Sequence, residues 1–265
     1  MTNSVLGLEG KVAIVTGGGG NIGRATAKML AQSGAHVLAA DIDAAEAEKS
    51  ALAASALGPK AEHMRLDARK PAEIAAMVQR ALKTWGRLDI GVNIVGGGGG
   101  NTSILDTPDS TWEDIVELNL YTAVRCSRAY AQAMIDLKIP GSIINIASPA
   151  GLRGSPGMAA YGASKAAVIN MTWSLAVELA KHGIRANVVV PAFVPREGYT
   201  FGGDSKQRDE LAKRSVPMGR VTLAEDVAGA ILAFASNLTS YSTGQVLVCD
   251  GGRLLTNPIF GPPGS

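Results

Sequence analysis

Tyr161 and Lys165 stand four residues apart in the segment Tyr-Gly-Ala-Ser-Lys. On a helix that spacing puts both side chains on one face, where the ammonium can stabilise a phenolate near neutral pH and make the phenol a proton donor and acceptor. Ser148 precedes them on the segment that leads into this helix. Far upstream, Thr16-Gly-Gly-Gly-Gly-Asn-Ile-Gly23 closes the first apolar strand. Glycines between a strand and a helix can bring backbone N–H groups against a pyrophosphate at a positive helix terminus. A glycine loop alone is weak evidence, but the two elements in this chain order point to redox chemistry on a dinucleotide.

The glycine run fits two registers, one through Gly18, Gly20 and Gly23 and the other through Gly17, Asn21 and Gly23. In the second, Asn21 takes the place of a glycine, and asparagine's tolerance of positive φ would let the turn survive. Asp41 ends the second strand about twenty residues beyond the loop, where a carboxylate is expected to grip the adenosine ribose hydroxyls. It would repel a 2′-phosphate, and Gly20, Ile42 and Asp43 bring no cation to offset that, so NAD(H) is expected over NADP(H). Asp67, at the end of the third strand, could cap the following turn or hold the adenine amino group.

Short β-branched runs alternate with alanine-rich helical stretches, the signature of a parallel sheet covered on both faces. Strands are expected at Lys11 to Thr16, His36 to Ala40, Ala61 to Arg65, Ile90 to Val95, Ser142 to Ala147, Arg185 to Val190 and Gln245 to Val248. Helices are expected at Asn21 to Ser33, Ala44 to Leu57, Pro71 to Trp85, Thr111 to Leu137, Ala159 to Lys181 and Ala224 to Ala235. The fold class is therefore α/β, a doubly wound (Rossmann) seven-stranded parallel sheet in a single domain. Pro71 suits a first helical turn, and Ser110 with Glu113 resembles a capping box. Gly96 to Pro108 and Pro191 to Pro217 would both leave carboxyl ends of strands, where open α/β sheets bind ligands. The second reads as a substrate lid. The tail, Arg253 to Ser265, is expected to be either disordered or docked on a neighbouring subunit.

The chain has 265 residues with 25 Lys and Arg against 23 Asp and Glu, so neither a nucleic-acid nor a membrane surface is suggested. It has no basic leader followed by an apolar stretch, and a cytoplasmic protein is expected. Cys126 and Cys249 are far apart and the three histidines are scattered, which predicts buried free thiols and no metal site.

With these residues in hand, the chain resembles the short-chain dehydrogenase/reductase family across nearly all of Gly10 to Gly252. The likeness rests on the Thr16 to Gly23 loop, Asp67, Asn93 with Gly96, Asn119 in Glu-Leu-Asn-Leu, Asn145-Ile-Ala-Ser148, Tyr161-x-x-x-Lys165, the Asn187 to Pro191 segment and Thr243 to Gly252. It implies a catalytic set of Asn119, Ser148, Tyr161 and Lys165. Tyr161 would exchange a proton with the substrate oxygen and Ser148 would hydrogen-bond that oxygen. Lys165 would hold the nicotinamide ribose and support the phenolate, and Asn119 would position a water linking Lys165 to solvent. It further implies coenzyme contacts from Gly17, Gly20, Asn21, Ile22, Gly23, Asp41, Ile42, Asp67, Ala68, Asn93, Val95, Gly96, Tyr161, Lys165, Pro191 and Val194. A homotetramer acting on a small-molecule substrate is likewise implied.

The chain departs from the family pattern in three places. The family's Asn-Asn-Ala-Gly is Asn93-Ile94-Val95-Gly96 here, which leads us to expect apolar packing in place of a polar tie in the central sheet, with Val95 crowding the adenosine ribose. Pro191-Ala192 replaces Pro-Gly. Arg196 stands where a threonine often contacts the coenzyme. Leu152, Met158, Phe193, Val194, Tyr199 and Phe201 suggest a partly apolar pocket, and Arg153 and Arg196 leave room for an acid group. The expected activity is NAD(H)-dependent interconversion of a secondary alcohol and a ketone. The alternatives are an NADPH-dependent 3-oxoacyl thioester reductase and a non-catalytic nucleotide-sensing module.

Overall fold

The computed structural model describes residues 5–98, 102–195 and 205–256. Seven strands form one parallel sheet in the order β3-β2-β1-β4-β5-β6-β7: β1 Val12–Thr16, β2 His36–Asp41, β3 Glu62–Arg65, β4 Ile90–Asn93, β5 Ser142–Ile146, β6 Arg185–Pro191 and β7 Val246–Cys249. The order reverses between β1 and β4, opening a crevice at their carboxyl ends. Central strands such as β1 and β5 are buried throughout, because helices cover both faces. The edge strand β3 alternates half-buried and exposed residues.

Along β1, alternate side chains enter two cores. Val12 and Ile14 pack with Ile74, Met77, Tyr130 and Met134, while Ala13 and Val15 pack with Leu30, Val37, Ile144 and Ile231. The helices supplying these layers are α1 Asn21–Gln32, α2 Ala44–Ser55, α3 Pro71–Trp85, α4 Asp109–Val116, α5 Thr122–Asp136, α6 Ala159–Leu179, α7 Ser205–Ser215 and α8 Ala224–Ala235. In α3, Pro71 opens the first turn and Gly86 closes the helix at φ 72°. Its buried Ile74, Met77, Val78 and Ala81 recur at helical spacing, and a fully buried large apolar side chain stabilises by about 1.5–3 kcal/mol.

Several expectations require correction. The stretch from Thr111 to Leu137 is not one α-helix, since a π-helical turn at Glu117–Tyr121 separates α4 from α5. The helix also starts earlier than expected: Pro108 is the N-cap, no side chain caps it, and no Ser110–Glu113 capping box forms. The segment read as an irregular lid contains α7, with residues 196–204 outside the described residues. Arg196, Tyr199, Phe201 and most of the tail also lie outside them. Of the thiols, Cys126 is buried and Cys249 only half-buried. No helix among the described residues is long and apolar enough to cross a membrane.

Candidate active site

Each element of the crevice is shaped by close backbone approach. Gly17 turns off β1 at φ 71°, a conformation that L side chains avoid. A Cβ on Gly23 would lie 2.1 Å from the Gly17 carbonyl oxygen, so α1 can start directly against the turn only with glycine there. Asn21 occupies the first position of α1 and has no positive φ, so the left-handed demand falls on Gly17 alone. The Asn21 Nδ2 donates across the crevice to the Pro195 carbonyl at 2.9 Å. Gly20 is the N-cap, and among the described residues no side chain caps this helix, whereas Asp43 accepts from Ala45 and Glu46 N–H groups at the start of α2. An uncapped first turn without acidic residues, behind a cradle that a Cβ would fill, fits the pyrophosphate of a dinucleotide.

At the end of β2, the Asp41 carboxylate accepts from Gly19 N–H at 2.9 Å and from Asp43 N–H at 3.1 Å, so it stands beside the loop. Ile42 is exposed next to it. The sequence reading weighed only Gly20, Ile42 and Asp43 for a cation; Arg24, from outside those positions, reaches back one helical turn to donate to the Gly19 carbonyl at 3.3 Å and to pair with Glu46. Helical side chains tilt towards the N-terminus, so a residue four positions after Gly20 covers that end. Asp67 accepts from the Arg69 backbone and guanidinium at 3.0–3.1 Å, which holds its carboxyl below the usual range, and Ala68 beside it is buried.

The expected loss of a polar tie does not occur. Thr16, Asn93 and Asn145 fall in one register row across β1, β4 and β5. Asn93 Nδ2 donates to Asn145 Oδ1 at 2.8 Å and to Ser127 Oγ at 2.9 Å, and Asn145 Nδ2 donates to Thr172 Oγ1 at 2.9 Å. Asn93 and Asn145 suffice, while Ile94 and Val95 pack into the two cores.

Asn119 lies in the π-helical turn and is fully buried. Its amide donates to the carbonyls of Gly97 and Ile115, and its Oδ1 accepts from Gly97 N–H at 3.0 Å. The extra backbone residue of a π-bulge re-aims this side chain towards the crevice. A Cβ on Gly96 would come within 2.7 Å of Asn119 Oδ1 and 2.8 Å of Lys165 Nζ, so Gly96, Asn119 and Lys165 meet at one point. Lys165 is 3 % exposed, donates to the Ile146 carbonyl at 3.0 Å, and carries its ammonium 5.8 Å from the centre of the Tyr161 ring. Burial lowers its pKa from 10.5 to about 8.

Ser148 begins the 3-10 turn Pro149–Gly151 and accepts from Ala150 N–H. That turn lies directly on α6: a Cβ on Gly151 would come 2.7 Å from the Ala166 nitrogen, and one on Gly162 would come 2.7 Å from the Ala150 oxygen. These glycines, which the sequence reading missed, bring the Ser148 turn onto the helix bearing Tyr161 and Lys165. Pro191 ends β6, and Val194 packs on the core beneath α1 and α8.

The chain is similar to known proteins over nearly its whole length. A family model described as "Enoyl-(Acyl carrier protein) reductase" matches residues 18–253. The chain is 38% identical over 251 residues to the 3-oxoacyl-[acyl-carrier-protein] reductase FabG of Escherichia coli (strain K12), covering 94% of this chain and all of that one. It is 35% identical over 248 residues to the FabG of Thermotoga maritima, with 94% and 99% covered. Among solved structures it is similar to an NAD+-bound xylitol dehydrogenase (TM-score 0.85, 30% identity, 92% and 99% covered) and to gox2181 (TM-score 0.87, 34% identity, 94% and 97% covered). A glycine-turned crevice over a parallel sheet, a tyrosine and lysine at one helical turn, and matches running nearly end to end lead to one conclusion: the chain belongs to the short-chain dehydrogenase/reductase family.

Proposed function

We propose that the protein is an NAD(H)-dependent oxidoreductase that interconverts a secondary alcohol and a ketone, with Tyr161 as general acid and base. The observation that carries this reading is the buried Lys165 ammonium held over the Tyr161 ring at the point where Gly96 leaves room. Negative charge developing on the phenol oxygen is stabilised by that ammonium in a site shielded from water. Ser148 donates a hydrogen bond to the substrate oxygen and fixes the reacting carbon in place. Asn119, locked to Gly97, holds the glycine backbone against Lys165, and its role in this reading is to position a water that links Lys165 to solvent. The nicotinamide coenzyme, when bound, supplies the hydride chemistry. Asp41 supports NAD(H), since a carboxylate facing the ribose repels a 2′-phosphate.

A second reading, an NADPH-dependent 3-oxoacyl thioester reductase, is favoured by the names of the FabG relatives. A substrate panel separates the two: cyclic alcohols, sugar alcohols, hydroxysteroids and dihydrodiols with NAD or NADP, and an acetoacetyl thioester with NADH or NADPH. Alcohol oxidation with NAD is expected, and turnover confined to the thioester with NADPH would replace the first reading by the second. Tyr161→Phe is expected to lower kcat by about 10²-fold or more while NADH binding, followed by fluorescence, is retained. Unchanged turnover in that variant would remove Tyr161 from the chemistry. We also propose a homotetramer, supported by Trp173 and Val177, which leave an apolar face of α6 exposed.

A further inference from the structure

Two acidic residues, not one, flank Gly19. A Cβ on Gly19 would lie 2.7 Å from Glu46 Cβ and 3.1 Å from Asp41 Cγ. Glu46, in the first turn of α2, is the hub of an ion network in which one oxygen takes Arg24 and the other takes Lys49 at 2.5 Å. The Lys49 hydrogen bond and charge, with help from Arg24 and against the opposing effect of desolvation, keep the Glu46 carboxyl below its ordinary range, so it is an anion at neutral pH. Arg24 is anchored a second time on the Gly19 carbonyl, and its buried Nε has no hydrogen-bond partner. The Arg24 guanidinium thus has one donor to spare and reaches the same glycine that Asp41 grips, with its charge paired to Glu46.

We infer that Glu46 is a second specificity-determining residue for the coenzyme: by holding Arg24 and Lys49 in ion pairs, it withholds from a 2′-phosphate the two cations that could outweigh Asp41. The inference rests on the reading that Asp41 faces the adenosine ribose. A phosphate carries a charge of about −1.5 to −2 and is recognised best by the planar fork of an arginine. With Glu46 ionised, such a group meets two carboxylates and two cations whose charges are already offset by Glu46. Without that charge, it meets one carboxylate and two cations in need of a partner, one of them already aimed at the loop.

The test is a calorimetric titration of wild type, Glu46→Gln, Arg24→Gln and the double variant with ADP, 2′,5′-ADP, NADH and NADPH, with thermal melts as a folding control. Glu46→Gln is expected to tighten 2′,5′-ADP and NADPH about tenfold relative to wild type and to leave ADP and NADH within about twofold. Arg24→Gln should remove most of that gain in the double variant, leaving only the share of Lys49, and, alone, leave the selectivity unchanged. The inference is overturned if Glu46→Gln weakens all four ligands alike, as a mere brace of the loop would, or if it leaves the variant-to-wild-type ratios unchanged. A wild type favouring NADPH would sink the NAD(H) reading but not the role of Glu46, which those ratios judge. A wild type binding neither dinucleotide would overturn both.

Discussion

Lys165 shows how one residue's environment sets both chemistry and stability. Its pKa falls from 10.5 to about 8 because folding buries the ammonium. The folded state therefore carries the cost of a buried charge at pH 7, and the unfolded chain binds more protons between about pH 8 and 10.5, so stability gains with rising pH in that window. Lys165→Met removes the cost. In urea melts of the coenzyme-free protein, its stability advantage over wild type is expected to shrink by about 3 kcal/mol between pH 7 and pH 10.5, the equivalent of the pKa change. A pH-independent difference would show that the ammonium is not buried in solution. At this scale the sequence was informative where chemistry dictates spacing: Tyr161 and Lys165 sit one turn apart whatever the tertiary structure. It was silent where packing decides. Nothing in Gly151 or Gly162 announces that a turn will press on a helix there, and Arg24 reaches the loop only through the tilt of helical side chains.

Among the elements, the most legible were those whose pattern and punctuation agree, such as α3 with Pro71 at its start and Gly86 at its end. The π-helical turn was invisible, because inserting one backbone residue leaves an apolar periodicity that still reads as a single helix from α4 through α5. α7 was hidden for another reason: in Ser-Lys-Gln-Arg-Asp-Glu-Leu-Ala-Lys-Arg-Ser the apolar residues are too few to mark a face, with Ala212 and the following Val216 buried. The end of α5 carries a testable defect. Lys138 has φ 54°, and the Lys138 and Ile139 N–H groups return to the carbonyls of Ile135 and Met134, a helix stop that glycine suits best. Lys138→Gly relieves the left-handed strain at some cost in chain entropy and is expected to raise stability by about 0.5 kcal/mol, read as a higher Tm. A lower Tm would mean that the lysine contributes more than its backbone costs.

α6 is apolar on nearly every side, which a helix facing water on one flank does not require. Its exposed Trp173 and Val177 are expected to be covered in a tetramer. Val177→Lys should shift the mass measured by light scattering from tetramer towards smaller species, and an unshifted tetramer would place the contact elsewhere. The parallel, doubly wound sheet was legible because alternating strands and helices leave few ways to wind a sheet, while the strand order came only with the structure. The polar seam through Asn93, Asn145 and Thr172 was not legible, since a side-chain network depends on which residues the register places in one row.

That seam also fixes where the protein yields last. Its bonds join neighbouring strands to α5 and α6 away from water, and none can break without leaving a buried amide or hydroxyl unpaired. In deuterium exchange, the peptide protons around Asn93 and Asn145 should be the slowest of all and report the global unfolding free energy, so the floor beneath the reacting groups persists until the entire chain gives way.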